Sequence, residues 1–281
     1  MAVIPETPLK AAADTSERFA FGANWLSFLE HLTEDRIVEA ERSVRALTGL
    51  DRLDNKTFID IGSGSGLFSL AARRLGAKVR SFDYDPQSVA GTQSLKDRFF
   101  PNDASWSVER GSVLDPSFIS GLGKFDIVFS WGVLHHTGAM YDAIQNAASR
   151  VAPDGIFIFA LYRKTRLCGF WTAEKRWYSG ASPAAQKVAQ TFYIGLYRLA
   201  FLLKHRDFAA YVANYAGSRG MNFTHDVHDW LGGYPYESIA PDEVAKFMGG
   251  LGFEHVRSNV RPYSTGVLGS GCDEYVYRRT G

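Results

Sequence analysis

The sequence predicts an α/β protein built on a doubly wound, mostly parallel seven-stranded sheet, with N-terminal helices and a helical cap insertion. Three observations carry this prediction. Short β-rich runs alternate with helical ones from Thr57 to Tyr162. A glycine-rich bend, Gly62-Ser63-Gly64-Ser65-Gly66, separates the first strand from its helix. The residues able to do chemistry fall at the carboxyl ends of the predicted strands, where open α/β sheets bind ligands.

Taken in order, Ile37, Ala40, Val44 and Leu47 recur at three- and four-residue steps before Gly49, which predicts an amphipathic helix with a glycine stop. A strand over Thr57–Ile61, the glycine bend and a helix over Leu67–Leu75 follow. The next strand covers Val79–Phe82 and ends at Asp83, and Pro86–Arg98 is a helix with proline in its first turn. Further strands fit Trp106–Glu109, Asp126–Phe129 and Ile156–Leu161. A helix over Tyr141–Val151 precedes the last of these, closed by the turn residues Pro153-Asp154-Gly155. After Tyr162 the pattern turns aromatic and mostly helical, with Ser182-Pro183 as a helix start, until about Glu237. A helix over Pro241–Leu251 and strands near Phe253–Val260 and Glu274–Tyr277 complete the sheet. The expected divisions are an N-terminal extension (1–56), a ligand-binding core (57–162), a cap (163–237) and the end of the sheet (238–281).

Composition narrows the function. Hydrophobic residues form 46% and charged residues 22% of the 281, which supports a sizeable core. Lys and Arg number 31 against 30 Asp and Glu, so no single-signed field exists to gather nucleic acid. Cys168 and Cys272 form no CxxC pair and suit a reducing cytoplasm. The first ten residues lack a secretory signal pattern, and Val188–Leu203, interrupted by Gln190 and Arg198, is shorter than the ~20 residues of a bilayer span. A cytoplasmic location is expected. Lys187 and Lys204-His205-Arg206 flank that apolar stretch, and a role in the cap is favoured over one on a membrane surface.

In the bend, the absence of Cβ atoms lets backbone N–H groups approach a ligand. Its GxGxG spacing departs from the GxGxxG of dinucleotide sites. Asp83, about 20 residues beyond the bend, is placed to accept both hydroxyl hydrogens of a ribose. Tyr84 beside it can stack on an adenine. Together they indicate an adenosine-type ligand.

At this point a resemblance becomes specific. The segments FIDIGSGSGLFSLAA, VRSFDYDPQSV, GSVLD, FDIVFSWGVLHHT and SRVAPDGIFIFAL resemble class I S-adenosylmethionine-dependent methyltransferases, in the ubiquinone-biosynthesis O-methyltransferase branch, over about Thr57 to Tyr162. The resemblance implies a Rossmann-like fold with S-adenosyl-L-methionine as cofactor. By position it implies that Asp60, Gly62, Ser63 and Gly64 hold the methionine part and Asp83 the ribose, with Gly66 also in the cofactor site. Ser112 and Val113 would border the adenine, and Ser130 and Trp131 would approach the amino group. Many relatives carry Asp where Ser112 stands. Where ubiquinone-type relatives can hold a divalent ion with Glu-x-x-Glu-His, this chain has Gly132, His135 and His136, so no metal is expected.

The resemblance sets His135 and His136 beside the transferred methyl, as candidate general bases. A free imidazole lies about 3.5 pK units below a phenol, a climb of ~5 kcal/mol that a concerted transfer reduces, so a histidine base favours a phenol-like hydroxyl. Aromatic residues of the cap, among them Trp171, Tyr193, Tyr197 and Tyr215, can roof a ring-bearing acceptor. The cluster His225-Asp226-Val227-His228-Asp229-Trp230 and Gly232-Gly233-Tyr234-Pro235-Tyr236-Glu237 supplies acceptor candidates His228, Tyr234 and Tyr236. Arg18 to Trp25 is a candidate cover for the bound donor. The expectation is methyl transfer to a hydroxyl, with an amine as the lesser option, on a small or glycan/lipid-linked metabolite. The alternatives are an NAD-dependent oxidoreductase and a non-catalytic donor-binding module.

Overall fold

A computed structural model describes residues 32–215, 223–262 and 264–280, together with Gly22, Trp25 and Leu29. Its elements run α1 (Glu34–Thr48), β1 (Thr57–Ile61), α2 (Leu67–Arg74), β2 (Lys78–Asp83), α3 (Pro86–Phe99), β3 (Trp106–Arg110), α4 (Pro116–Ser120) and β4 (Phe125–Trp131). Then come a 3-10 turn (Leu134–His136), α5 (Met140–Ala148), β5 (Val151–Tyr162), α6 (Cys168–Ser179), α7 (Pro183–Leu203), α8 (Phe208–Ala213), α9 (Phe223–Gly232), α10 (Pro241–Gly250), β6 (Phe253–Asn259) and β7 (Cys272–Arg279).

The seven strands lie in the order β3-β2-β1-β4-β5-β7-β6. All neighbours pair in parallel until β7, which runs antiparallel to both β5 and β6. This is the doubly wound, mostly parallel sheet of a Rossmann-like fold. Alternation along β1 sends Ile59 and Ile61 to one apolar face with Leu134, Ile144 and Phe157, and Phe58 to the other with Leu70, Phe129 and Ile158. Strand order reverses between β1 and β4, which opens a crevice at their carboxyl ends.

Local chemistry sets the helix starts. Asp85 caps α3 by accepting from the Gln87 N–H, with Pro86 in the first turn, and Ser182 caps α7 by accepting from Ala185. Asp115 caps the short α4, which the sequence reading omits because five residues carry no helical period. One turn is placed differently. Helix α5 ends at Ala148, and Val151 already pairs with Phe125 in β5. Pro153-Asp154-Gly155 makes a register shift inside that strand instead of closing the helix, with Asp154 at φ 60°. A Cβ on Gly155 would stand 2.9 Å from the Asp126 carbonyl, so glycine keeps the two strands in register there.

The cap has its own core, in which Trp171, Tyr178, Tyr193, Tyr215, Phe223, Val227, Leu231 and Tyr236 are buried together. Its ends are pinched where the chain leaves and rejoins the sheet. The Ile239 N–H donates to the Tyr162 carbonyl, and the Lys164 N–H donates to the Ile239 carbonyl. That closure holds the cap over the carboxyl ends of β1, β4 and β5.

Candidate active site

A cleft of about 1970 Å³ lies between sheet and cap. It exceeds the 300–1,000 Å³ usual for one small ligand. Its floor is the glycine bend. Gly62, Gly64 and Gly66 all have positive φ, at 75°, 54° and 79°. A Cβ on Gly62 would meet the Val133 side chain at 2.4 Å, so the bend and the loop after β4 approach each other only because that position is glycine. The Trp25 indole comes within 3.1 Å of where a Gly64 Cβ would stand, and the Gly22 N–H donates to Asp85 at 2.9 Å. The N-terminal segment therefore reaches the bend, although Arg18–Phe21, Ala23 and Asn24 lie outside the described residues.

Asp60 sits beneath the bend, almost fully buried. A polar chain fixes it. The Trp106 indole N–H donates to Ser81 Oγ, Ser81 Oγ lies 2.7 Å from Ser69 Oγ, and Ser69 Oγ donates to Asp60 at 2.6 Å. Burial raises the Asp60 carboxyl to about 7, against the lowering hydrogen bond from Ser69. Asp83 accepts the Gly64 N–H and the Asp85 N–H, each at 2.9 Å, and burial raises it to about 6. Neither carboxylate owes its shift to a neighbouring cation of the protein. Asp60, buried, and Asp83, half-buried, have no basic partner among the described residues, which suits a ligand that brings its own positive charge.

Nine of the expected donor residues line the cleft: Asp60, Gly62, Ser63, Gly64, Asp83, Tyr84, Ser112, Val113 and Trp131. Two do not. Gly66 caps α2 and packs on Thr92, whose Cα would be 2.9 Å from an added Cβ. Ser130 is fully buried and its hydroxyl donates to the Ile61 carbonyl at 3.0 Å, so it ties β4 to β1 and turns away from the ligand space.

The two histidines line the cleft but differ in chemistry. His135 is fully buried, and its Nδ1 accepts the Tyr162 N–H at 3.3 Å. A lone pair on Nδ1 puts the proton of the neutral ring on Nε2, for which the described residues offer no hydrogen-bond partner. Burial, then the charges of His136 and Lys175, hold His135 well below the usual histidine range. It is a neutral donor in this setting. In His136, Nδ1 lies 2.7 Å from the Pro235 carbonyl, an acceptor only. Nδ1 must therefore carry the proton, and Nε2 has the lone pair that a base needs.

The cap segment that follows α9 sets this arrangement. The Glu237 N–H donates to the His135 carbonyl at 3.0 Å, and its carboxylate accepts the Met140 N–H at 3.0 Å. Gly233 leaves room for the His136 ring, since an added Cβ would lie 2.7 Å from Cε1 and 3.2 Å from the Asp229 carbonyl. Gly233→Ala is expected to push the ring aside and slow turnover about tenfold to a hundredfold, the scale of a 1 Å misplacement, while donor affinity stays within twofold. Steady-state kinetics with calorimetry on the same preparation check this.

Of the acceptor candidates, only Tyr234 lines the cleft. His228 turns into the cap, where Nδ1 meets the Tyr178 hydroxyl at 2.7 Å and Gln190 at 3.1 Å. Tyr236 is buried with its hydroxyl 2.9 Å from Ser270 Oγ. The His225 side chain lies outside the described residues. Asp226, Asp229 and Trp230 of the same helix line the cleft instead, with Tyr193 and Tyr197 of α7. The sequence reading also passes over Lys175, fully buried with Nζ 3.6 Å from the centre of the Trp230 ring and held below the usual lysine range by burial. Among the described residues no three His, Cys, Asp or Glu side chains converge to hold a metal ion.

The sequence profile of the methyltransferase-domain family matches residues 32–211, which include the bend, Asp83, both histidines and the start of the cap. The chain belongs to that family. Among individual relatives, the methyltransferase is 27% identical over 117 residues to a ubiquinone biosynthesis O-methyltransferase of Methylobacterium sp. (strain 4-46), covering 42% of this chain and 45% of that one. It is 28% identical over 162 residues to a ribosomal protein L11 methyltransferase of Bacillus pumilus (strain SAFR-032), covering 51% and 48%. The chain thus spans less than half the length of these relatives. Among solved structures, magnesium protoporphyrin IX methyltransferase from Synechocystis PCC 6803, with bound SAH, superposes with a TM-score of 0.53 at 14% identity, over 88% of this chain and 84% of the other. Family and fold meet the expectation of a methyltransferase built on a Rossmann-like sheet.

Proposed function

We propose that this methyltransferase moves a methyl group from S-adenosylmethionine to a hydroxyl of a ring-bearing small or glycan/lipid-linked acceptor, with His136 as the general base. One observation carries the reading: His136 lines the cleft with Nδ1 2.7 Å from the Pro235 carbonyl, an acceptor that favours the tautomer with its proton on Nδ1 and its lone pair on Nε2. When bound, S-adenosylmethionine supplies a methyl group on a sulfonium that is already a good leaving group. Gly62, Ser63 and Gly64 with Asp60 would hold its amino-acid part, Asp83 its ribose, and Tyr84, Ser112 and Val113 its adenine. The protein's own tasks are to align the acceptor, worth ~7–11 kcal/mol, and to take up its proton. Nε2 of His136 receives the hydroxyl proton as the oxygen attacks, and Pro235 stabilises the resulting imidazolium through Nδ1–H. Tyr193, Tyr197 and Trp230 offer aromatic walls for a ring.

An oxygen acceptor also agrees with the O-methyltransferases among the relatives. The test joins thermal unfolding with product analysis. S-adenosylhomocysteine at a hundred times its Kd is expected to stabilise by ~2.7 kcal/mol, and NAD by nothing measurable. Labelled donor incubated with phenols, sugars and amines is expected to mark phenolic hydroxyls first. Stabilisation by NAD alone, or label confined to amines, overturns the reading.

A further inference from the structure

Helix α7 has two faces that serve different surroundings. Tyr193, Tyr197 and Phe201 on one face, with Lys204 just after the helix, line the cleft. On the other, Val188 is 70%, Phe192 68%, Leu199 51%, Leu202 70% and Leu203 73% exposed. At about 100° per residue these five fall within an arc of about 100°, opposite the cleft-facing tyrosines. Single exposed leucines are ordinary, but five large apolar side chains in one stripe are not.

The charges around the stripe say what covers it. Residues 176–206 carry Arg176, Lys187, Arg198, Lys204 and Arg206 and no Asp or Glu, in a chain whose Lys and Arg number 31 against 30 Asp and Glu overall. Lys187 and Arg198 are exposed and fall on one flank of the apolar arc, while Lys204, His205 and Arg206 are exposed just past the end of the helix. Among the described residues no helix is long and apolar enough to cross a membrane. An apolar arc bordered by cations, on a helix that cannot span, matches a surface of acyl chains beneath anionic headgroups. A second copy of this chain would bring the same cations against themselves.

We propose that the outer face of α7 docks on an anionic lipid bilayer, with Val188, Phe192, Leu199, Leu202 and Leu203 entering the headgroup boundary and Lys187 and Arg198 meeting lipid phosphates. The inner face of the same helix is a wall of the cleft, so docking sets the acceptor site at the lipid surface. This goes beyond the methyl-transfer reading and stands or falls without it.

The experiment is co-sedimentation of the full chain with phosphatidylcholine vesicles and with equimolar phosphatidylcholine–phosphatidylglycerol vesicles. Binding to the anionic vesicles is expected, weaker with phosphatidylcholine alone and reduced by salt. The double variant Leu202→Ser/Leu203→Ser is expected to lose about tenfold in partitioning, and Lys187→Glu/Arg198→Glu a similar factor. Both should keep the wild-type circular dichroism and the thermal shift with S-adenosylhomocysteine, which separates lost docking from lost folding. No sedimentation of the wild type overturns the proposal, and so does unchanged sedimentation of the serine variant. So does a wild-type dimer in light scattering that the serine variant converts to monomer, because a second copy then covers the stripe.

Discussion

Replacing His136 with glutamine is expected to slow methyl transfer by a factor of about 10² to 10⁴, the range that general base catalysis supplies. Glutamine keeps an N–H that can reach the Pro235 carbonyl, which His136 Nδ1 meets at 2.7 Å, but offers no basic nitrogen to the cleft. Donor affinity should stay within twofold, because the Asp83 contacts lie at the bend and the end of β2, whereas the His136 ring is held by Pro235 of the cap. His135→Asn is expected to behave differently. His135 is buried against Tyr162 and Glu237, so its loss lowers the melting temperature more than it lowers the single-turnover rate. Single-turnover rates at saturating donor discriminate between the two: they should fall steeply in His136→Gln and stay closer to wild type in His135→Asn. Unchanged single-turnover rates in His136→Gln remove it as the base.

The sheet was readable because parallel strands buried on both faces appear as apolar runs bounded by turn residues, and Thr57–Ile61 matches its observed limits. The donor half of the cleft was readable for a related reason. Glycines with positive φ, and an acid at the end of the next strand, are requirements of backbone geometry and so leave a local signature. Ser130 and Gly66 show the limit of position alone. Both stand in motif positions, yet one spends its hydroxyl on Ile61 and the other its missing Cβ on Thr92.

The acceptor half depends on helix phase and long-range contacts. In α9, Asp226, Asp229 and Trp230 share one face at steps of three and four, whereas His228 falls on the face that meets Tyr178 and Gln190. The sequence reading gives that cluster no helix limits of its own, which hid the phase. The polar chain from Trp106 through Ser81 and Ser69 to Asp60 joins residues up to 46 positions apart, counted from Asp60 to Trp106, and nothing local marks it. The distinction between the histidines likewise rests on Tyr162 and Pro235, far from either in sequence.

Asp83→Ala is expected to weaken donor binding about a hundredfold, measured by calorimetry with S-adenosylhomocysteine. Charge-assisted hydrogen bonds are worth about 1.5–3 kcal/mol each, and two ribose hydroxyls would be lost together. The variant also strands the Gly64 and Asp85 N–H groups, so the bend at Gly64, held at φ 54°, loses its anchor. The pH dependence carries a definite sign. Folding raises Asp83 from 3.8 to about 6, mainly through burial, so its contribution to stability is present in full below pH 4 and is lost as pH rises through 6. Asp60, raised to about 7, continues the same loss to neutral pH. Donor binding runs the other way, because ribose hydroxyls donate to the ionised carboxylate. Affinity should therefore fall by up to about tenfold per pH unit below 6 in the wild type, and that slope should flatten in Asp83→Ala. An unaltered Kd in the variant would take Asp83 out of the donor site. A weakened Kd with the slope intact would instead assign the pH dependence to Asp60, the other acid that burial has raised toward neutrality.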